Sequence, residues 1–250
     1  MKRLVQRLMG ALGYRIEGIR YTPRQFLDPA LLRPLTLDDV ICRRMFEAGP
    51  SLSFIQVGAY DGVSTDPLRK YVEVCGWTGV MLEPQPGPAA RLRDLYRERP
   101  GIVVIQAALD RDRRPRTLYT VDADDLPAWV GGMASFDRDH ILKHGHLVEG
   151  LEQRLAEIAV DCVTFEDVLG RLGRPALDLL QIDAEGADGR ILSLFPFDRV
   201  RPAIVHWEIK NMSRAQQEAA LDLLIGHGYR VARSGGEDAL AVLSQTPPAA

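Results

Sequence analysis

From residue 53 onward, short continuous apolar runs alternate with amphipathic stretches. The runs are 53–59 (SFIQVGA), 79–84 (GVMLEP), 102–109 (IVVIQAAL), 176–183 (ALDLLQID) and 202–209 (PAIVHWEI), each followed by turn or helix-start residues. Apolar runs of this length predict strands buried on both faces, and the helical stretches between them predict crossover connections. The pattern is that of an α/β fold with a mostly parallel sheet sandwiched by helices. Local punctuation marks several helix ends. Thr36 with Asp39 three residues on forms a capping signal and Gly49 a terminator, Pro67 after Asp66 opens a helix that Gly76 closes, and Ser213 with Gln216 opens 213–228. The last two runs, 229–234 and 238–243, are separated only by 235–237 (GGE), which is too short for a parallel crossover and requires an antiparallel hairpin.

The rhythm breaks over 110–160. This stretch holds a predicted strand at 116–121, an acidic 122–125, a Gly- and His-containing 128–147 and a helical-looking 148–158. An insertion of this length between sheet strands is a place where function concentrates, and it is expected to cover a site. Residues 1–49 read as a helical extension, 50–245 as the main domain with 110–160 as a substrate lid, and 246–250 as a flexible tail.

Over 1–20, Leu4, Val5, Leu8, Met9, Leu12, Ile16 and Ile19 recur at helical spacing while Lys2, Arg3, Arg7 and Arg15 fall on other faces. Such a basic amphipathic helix either docks on its own domain or a dimer mate, or lies on an anionic membrane surface. Its interrupted apolar stretch does not suit a secretion signal. Of 250 residues, 46% are hydrophobic and the net charge is −3, so a large core is available and no general electrostatic case for nucleic-acid binding exists. Three scattered cysteines, Cys42, Cys75 and Cys162, without a C-x-x-C pair fit a reducing compartment. No run reaches the roughly 20 apolar residues of a membrane span. The expected location is the cytoplasm, with peripheral contact at the inner membrane face as an option through residues 1–20.

The first strand runs into 54–65 (FIQVGAYDGVST), placing Gly58 and Gly62 in the strand-to-helix turn with Asp61 between them. That turn lies at the carboxyl edge, where parallel sheets bind ligands, and glycine permits close backbone approach. Glu83 ends the next strand, about 20 to 25 residues on, where an acid can accept hydrogen bonds from both ribose hydroxyls. The dinucleotide fingerprint G-x-G-x-x-G is absent, and Asp61 puts a carboxylate where a phosphate grip would avoid one. A carboxylate suits an ammonium group, such as that of the methionine part of S-adenosylmethionine. A nicotinamide-dependent oxidoreductase shares the glycine turn and the ribose acid but needs the missing pyrophosphate grip. A catalytically silent Rossmann-like binding module is the non-enzyme alternative.

The segments FIQVGAYDGVSTDPL, GVMLEPQP, VDCVTFEDVL, LDLLQIDAEGADGRIL and PAIVHWEIKNMS resemble, in order, the FkbM-type S-adenosylmethionine-dependent methyltransferases. The resemblance implies a class I methyltransferase sheet of strand order 3-2-1-4-5-7-6 with an antiparallel last strand. It further implies methyl transfer, usually to a hydroxyl oxygen of a sugar or a polyketide-like product. Carried over by residue, it puts Val57, Gly58, Asp61 and Gly62 at the methionine moiety, Glu83 with Pro84 at the ribose, and Gln106, Ala107 and Ala108 beside the adenine.

Methyl transfer needs a nucleophile relieved of its proton and held on the attack axis. Acids and a histidine at the carboxyl ends of the fourth and fifth strands are the candidates: Asp183 and Glu185, with His206 and Glu208. His206 and Glu208 are two apart and share a strand face. His206 reads either as the base or as a buried histidine bonded to a carbonyl. The carboxylates of Asp183 and Glu208 also make a candidate Mg²⁺ site. In the insertion Met133, Ser135, Phe136 and His140 are expected to contact the acceptor. His140, His144 and His146 lack the companion ligands of a zinc site. Trp129 and Trp207 either stack on a sugar or pack in the core. The expected partners are a small-molecule or glycan acceptor and a second copy of the chain.

Overall fold

The computed structural model describes residues 35–64, 66–122, 126–173, 176–234 and 236–244. The amphipathic helix expected over 1–20 and the tail over 246–250 lie outside the described residues.

Helix α1 (Leu37–Ala48) precedes β1 (Ser53–Val57), α2 (Arg69–Cys75), β2 (Thr78–Leu82), α3 (Pro86–Leu95), β3 (Ile102–Ile105) and β4 (Ala108–Leu109). The insertion contributes β5 (Arg116–Val121), α4 (Ala128–Gly132), α5 (Arg138–Leu142), two 3-10 turns (Lys143–His146 and Leu151–Arg154) and β6 (Leu155–Val160). Then come β7 (Cys162–Val163), α6 (Phe165–Arg171), β8 (Leu179–Ile182), α7 (Asp188–Leu194), β9 (Ile204–Glu208), α8 (Arg214–Gly226), β10 (Tyr229–Ser234) and β11 (Asp238–Leu243).

Seven strands form one sheet in the order β3-β2-β1-β8-β9-β11-β10. Counted along the chain, those seven run 3-2-1-4-5-7-6, with the last strand antiparallel to both neighbours. This is the class I methyltransferase arrangement, an α/β Rossmann-like fold. Alternate strand residues serve two cores. Phe54, Met81, Leu179, Ile204 and Leu240 meet α1, α2 and α3 on one face. Ile55, Val80, Leu180, Val205 and Ala241 meet α6, α7 and α8 on the other. Because both faces are covered, β1 and β8 are buried along their whole length, Ser53, Gln56 and Gln181 included.

The caps read from sequence form: Asp39 N–H donates to Thr36 Oγ1 at 3.1 Å, and Gln216 N–H to Ser213 Oγ at 3.3 Å. Four expectations need correction. Helix α1, grouped by sequence with the N-terminal extension, buries Leu37, Val40 and Ile41 in the same core as Phe54 and Leu179. Helix α2 starts at Arg69 and not at Pro67. Asp66 accepts from Leu68 N–H at 2.8 Å in the preceding turn and from Gln56 at 3.0 Å. The run 102–109 splits into two strands, since β4 leaves the main sheet to pair with β7. The stretch 148–158 is not a helix: after the 3-10 turn, β6 pairs antiparallel with β5 from Arg116↔Val160 to Val121↔Leu155. Its helical periodicity of Leu151, Leu155 and Ile158 is overridden by the ladder that β5 offers.

The insertion has its own small core of Val121, Val130, Met133, Ile141, Val148 and Leu151. No described helix is long and apolar enough to cross a membrane.

Candidate active site

The carboxyl ends of β1, β2, β8 and β9 and the loop between β3 and β4 open into a cleft of about 530 Å³, roofed by residues 132–136 of the insertion. Val57, Gly58 and Tyr60 enter it from β1, Glu83 and Pro84 from β2, Asp183 and Glu185 from β8, and Glu208 from β9. Gly58 has φ +81°, and a Cβ there would overlap the carbonyl oxygen of Asp183. Its N–H donates to the Leu82 carbonyl at 3.0 Å, so one glycine draws the ends of β1, β2 and β8 together.

Glu83 is 3% exposed and anchored by backbone amides: Tyr60 N–H donates to Oε2 at 2.9 Å and Gln85 N–H to Oε1 at 2.8 Å. Tyr60 offers that amide from a left-handed conformation, φ +48°, which costs a side-chain-bearing residue energy and persists because the surrounding structure demands it. Burial pushes the Glu83 pKa up to about 7, against the opposing pull of those amides. Ala107, Ala108 and Leu109 line the cleft beyond Glu83. A rigid acid at the second strand, small apolar walls beside it and a pinched glycine at the first strand fit an adenosyl group. The volume is that of an ordinary small-molecule site.

Three residues expected at the cofactor do not line the cleft. Asp61 is engaged in its own turn, accepting from Val63 N–H and Ser64 N–H at 2.9 Å each and from Ser64 Oγ at 2.8 Å. Gly62, φ +71°, is required by packing: a Cβ there would press on Leu92, Leu95 and Tyr96 at the α3 end. Gln106 is exposed and accepts from Arg93 at 3.0 Å.

The other end of the cleft is acidic. Asp183 opens into it, and the protein packed around its carboxyl, together with the Asp188, Glu185, Glu208 and Asp238 carboxylates, holds its pKa well above the usual range. Glu208 accepts from Asn211 Nδ2 at 2.8 Å, and burial raises its pKa to about 7. Glu185 has φ +45°, and its turn is clamped by the fully buried Asp188, which accepts from Ala184 N–H and Gly186 N–H at 3.1 Å each.

His206 is brought to the same sheet face as Glu208 but does not line the cleft. It stands one step deeper, in register with Gln181 of β8, and Gln181 with Gln56 of β1. Its side chain is 9% exposed, with Nε2 3.9 Å from Asp238, and burial lowers its pKa to about 4. It is therefore neutral near pH 7 and covered, which corrects the expectation of a base in contact with substrate. The Mg²⁺ expectation also finds no support. Asp183 and Glu208 share the cleft, but among the described residues no group of three or more His, Cys, Asp or Glu side chains could hold a metal ion.

Of the expected acceptor contacts, Met133, Ser135 and Phe136 line the cleft. Ser135 Oγ donates to the Glu185 carbonyl at 3.0 Å, tying the insertion to the turn after β8, and Phe136 lies under the Arg116 guanidinium at 4.0 Å. His140 does not line it. Its buried ring packs on Gly186, and Nε2 is 3.5 Å from Glu185. Trp207 is core, 1% exposed, whereas Trp129 is at the cleft, 44% exposed. Sequence reading missed Tyr60, Ser64, Lys210 and Asn211, all of which line the cleft. All four sit inside the quoted motif segments, which is the available signal.

The chain matches the methyltransferase FkbM domain over residues 56–231. No curated protein matches it in sequence. Among solved structures, the methyltransferase FkbM of Methylobacillus flagellatus is 12% identical, with 77% of this chain and 44% of that chain covered and a TM-score of 0.43. The precorrin-6y C5,15-methyltransferase of Geobacter metallireducens is 12% identical over 78% and 81% of the two chains, TM-score 0.40. Aeropyrum pernix fibrillarin, solved with natively bound S-adenosyl-L-methionine, is 14% identical over 77% and 68%, TM-score 0.36. With the domain match spanning most of its length, from the middle of β1 into β10, the chain belongs to the FkbM family of methyltransferases.

Proposed function

We propose that this methyltransferase uses S-adenosylmethionine to methylate a hydroxyl oxygen of a carbohydrate-class acceptor. The observation that carries the reading is that Asp183 and Glu208, two carboxyls with raised proton affinity, face the same cleft as Glu83. When bound, S-adenosylmethionine supplies an electrophilic methyl carbon on a sulfonium. Glu83 would accept the ribose hydroxyls, with Pro84 beside them. Val57 and Gly58 would lie along the methionine part, and Ala107 and Ala108 against the adenine.

A hydroxyl is a poor nucleophile until a base takes its proton, and a base works best with a pKa near the working pH. Glu208, at about 7 and oriented by Asn211, meets that condition. Asp183 and Glu185 add acceptors that can hold further acceptor hydroxyls on the attack axis. This concentration of carboxylates favours a neutral polyhydroxyl acceptor and repels a phosphorylated one. Phe136 supplies aromatic surface of the kind that stacks on sugar rings.

The deciding experiment incubates the protein with methyl-labelled S-adenosylmethionine and glycan or extract fractions, followed by mass spectrometry of any product that gains one CH₂. Label in a base-stable ether on oxygen supports the proposal. Label on nitrogen or carbon, or binding of a dinucleotide in place of S-adenosylhomocysteine, overturns it.

A further inference from the structure

Beside the cleft, the insertion forms a second hollow of about 400 Å³. Leu126, Pro127, Val130 and Val148 line it, and Trp129 and Leu147 line both the hollow and the cleft. The two cavities therefore share a wall, and that wall is apolar. Trp129 is 44% exposed and Leu147 60% exposed, large apolar side chains left facing solvent where the cavities meet. Of the charged residues lining the hollow, Arg154 already donates to the Asp122 carbonyl at 3.3 Å, and Glu149 is exposed.

The chemistry thus changes along one continuous surface. The end at Asp183 and Glu208 is acidic and suits hydroxyls. The far end is lined mostly by apolar side chains, with Glu149 and Arg154 the charged residues among the described lining, and so suits an alkyl chain better than a second sugar. From this continuity we infer that the acceptor is an amphiphile: a hydroxyl-bearing head occupies the cleft, and an apolar chain passes over Trp129 and Leu147 into the hollow. The inference rests on the methyltransferase reading of the cleft.

Tryptophan fluorescence provides a direct test. The chain has three tryptophans, and Trp77 and Trp207 are 2% and 1% exposed, so acrylamide quenching reports on Trp129. The full-length protein, saturated with S-adenosylhomocysteine, is titrated with methyl β-glucoside and with octyl β-glucoside below its micelle threshold. Octyl β-glucoside should shield Trp129 at a concentration at least tenfold lower than methyl β-glucoside. Leu147→Glu, at a position that is 60% exposed, should erase that difference while S-adenosylhomocysteine binds as before. Trp129→Phe should abolish the quenching signal and confirm its source. Equal shielding by the two glycosides, no shielding by the octyl compound, or an undiminished octyl advantage in Leu147→Glu overturns the inference. If S-adenosylhomocysteine itself does not bind by calorimetry, the methyltransferase reading fails and the inference falls with it. If it binds and the alkyl chain adds nothing, only the amphiphile is lost.

Discussion

Gly58 and Asp183 meet backbone to backbone at the base of the cleft, so closely that a single methyl group on Gly58 would occupy the place of the Asp183 carbonyl oxygen. The contact couples the turn expected to hold the cofactor to the strand end expected to handle the acceptor. Asp183 N–H completes the link by donating to the Val57 carbonyl at 3.0 Å.

Gly58→Ala should therefore damage both fold and site. The left-handed φ of +81° is strained for alanine, and the overlap lies against backbone that cannot rotate away. A loss of at least about 2 kcal/mol is expected, lowering the melting temperature by roughly 4–8 °C, with S-adenosylhomocysteine affinity falling steeply. Unaltered melting and affinity would show that the strand ends separate without penalty.

Glu83 should make cofactor binding pH-dependent. Its folded pKa of about 7 lies above the ordinary value, so ionising it costs stability increasingly from about pH 4.5 to 7 and by a constant amount above. Ribose hydroxyls would donate to the ionised form, so binding should tighten from pH 6 to 8 and release a proton. Calorimetry in buffers of different ionisation enthalpy measures that release. Glu83→Gln should flatten the dependence and weaken binding about 10- to 150-fold, the equivalent of ~1.5–3 kcal/mol for a charged hydrogen-bond acceptor. Proton uptake on binding would contradict the assignment.

Asp183 should show a trade between stability and activity. Its carboxyl is packed against protein and faces other acids, so Asp183→Asn is expected to raise the melting temperature at pH 8 while removing turnover. For Glu208 the rate should climb as pH passes through about 7, and Glu208→Gln should lose that limb. Full activity in Asp183→Asn would remove this residue from the mechanism.

His206 should matter to acid stability and not to the proton transfer. A histidine pKa lowered to about 4 contributes stability above its unfolded value of 6.5, and this is lost as pH falls from there towards 4. His206→Gln should lose less stability than wild type over that window. Its rate profile above pH 6.5 should keep the wild-type shape. A changed profile there would return the imidazole to the chemistry.

Much of the site can be read along the chain because its positions are marked by local rules. Glu83 follows a buried strand, Asp183 and Glu208 each end one, and Gly58 stands where a strand turns into a ligand edge. Asp61, Gly62 and Gln106 lay in the right segments, yet their side chains or contacts were already committed to a turn, to α3 and to Arg93. Such engagements depend on neighbours distant in sequence or on a turn's folded shape, neither of which periodicity records.

The sequence by itself determined the sheet's composition, its hairpin end and the acids at its rim, since apolar runs, caps and a three-residue connector act through local sterics and burial. Tertiary structure decided depth and company. Strand parity put His206 and Glu208 on one face, but only packing across β8 and β9 made one a covered neutral ring and the other a cleft carboxyl. The pairing of β6 with β5 likewise converted a helical pattern into a strand, because a ladder of backbone hydrogen bonds outweighs the weak preference of a short segment.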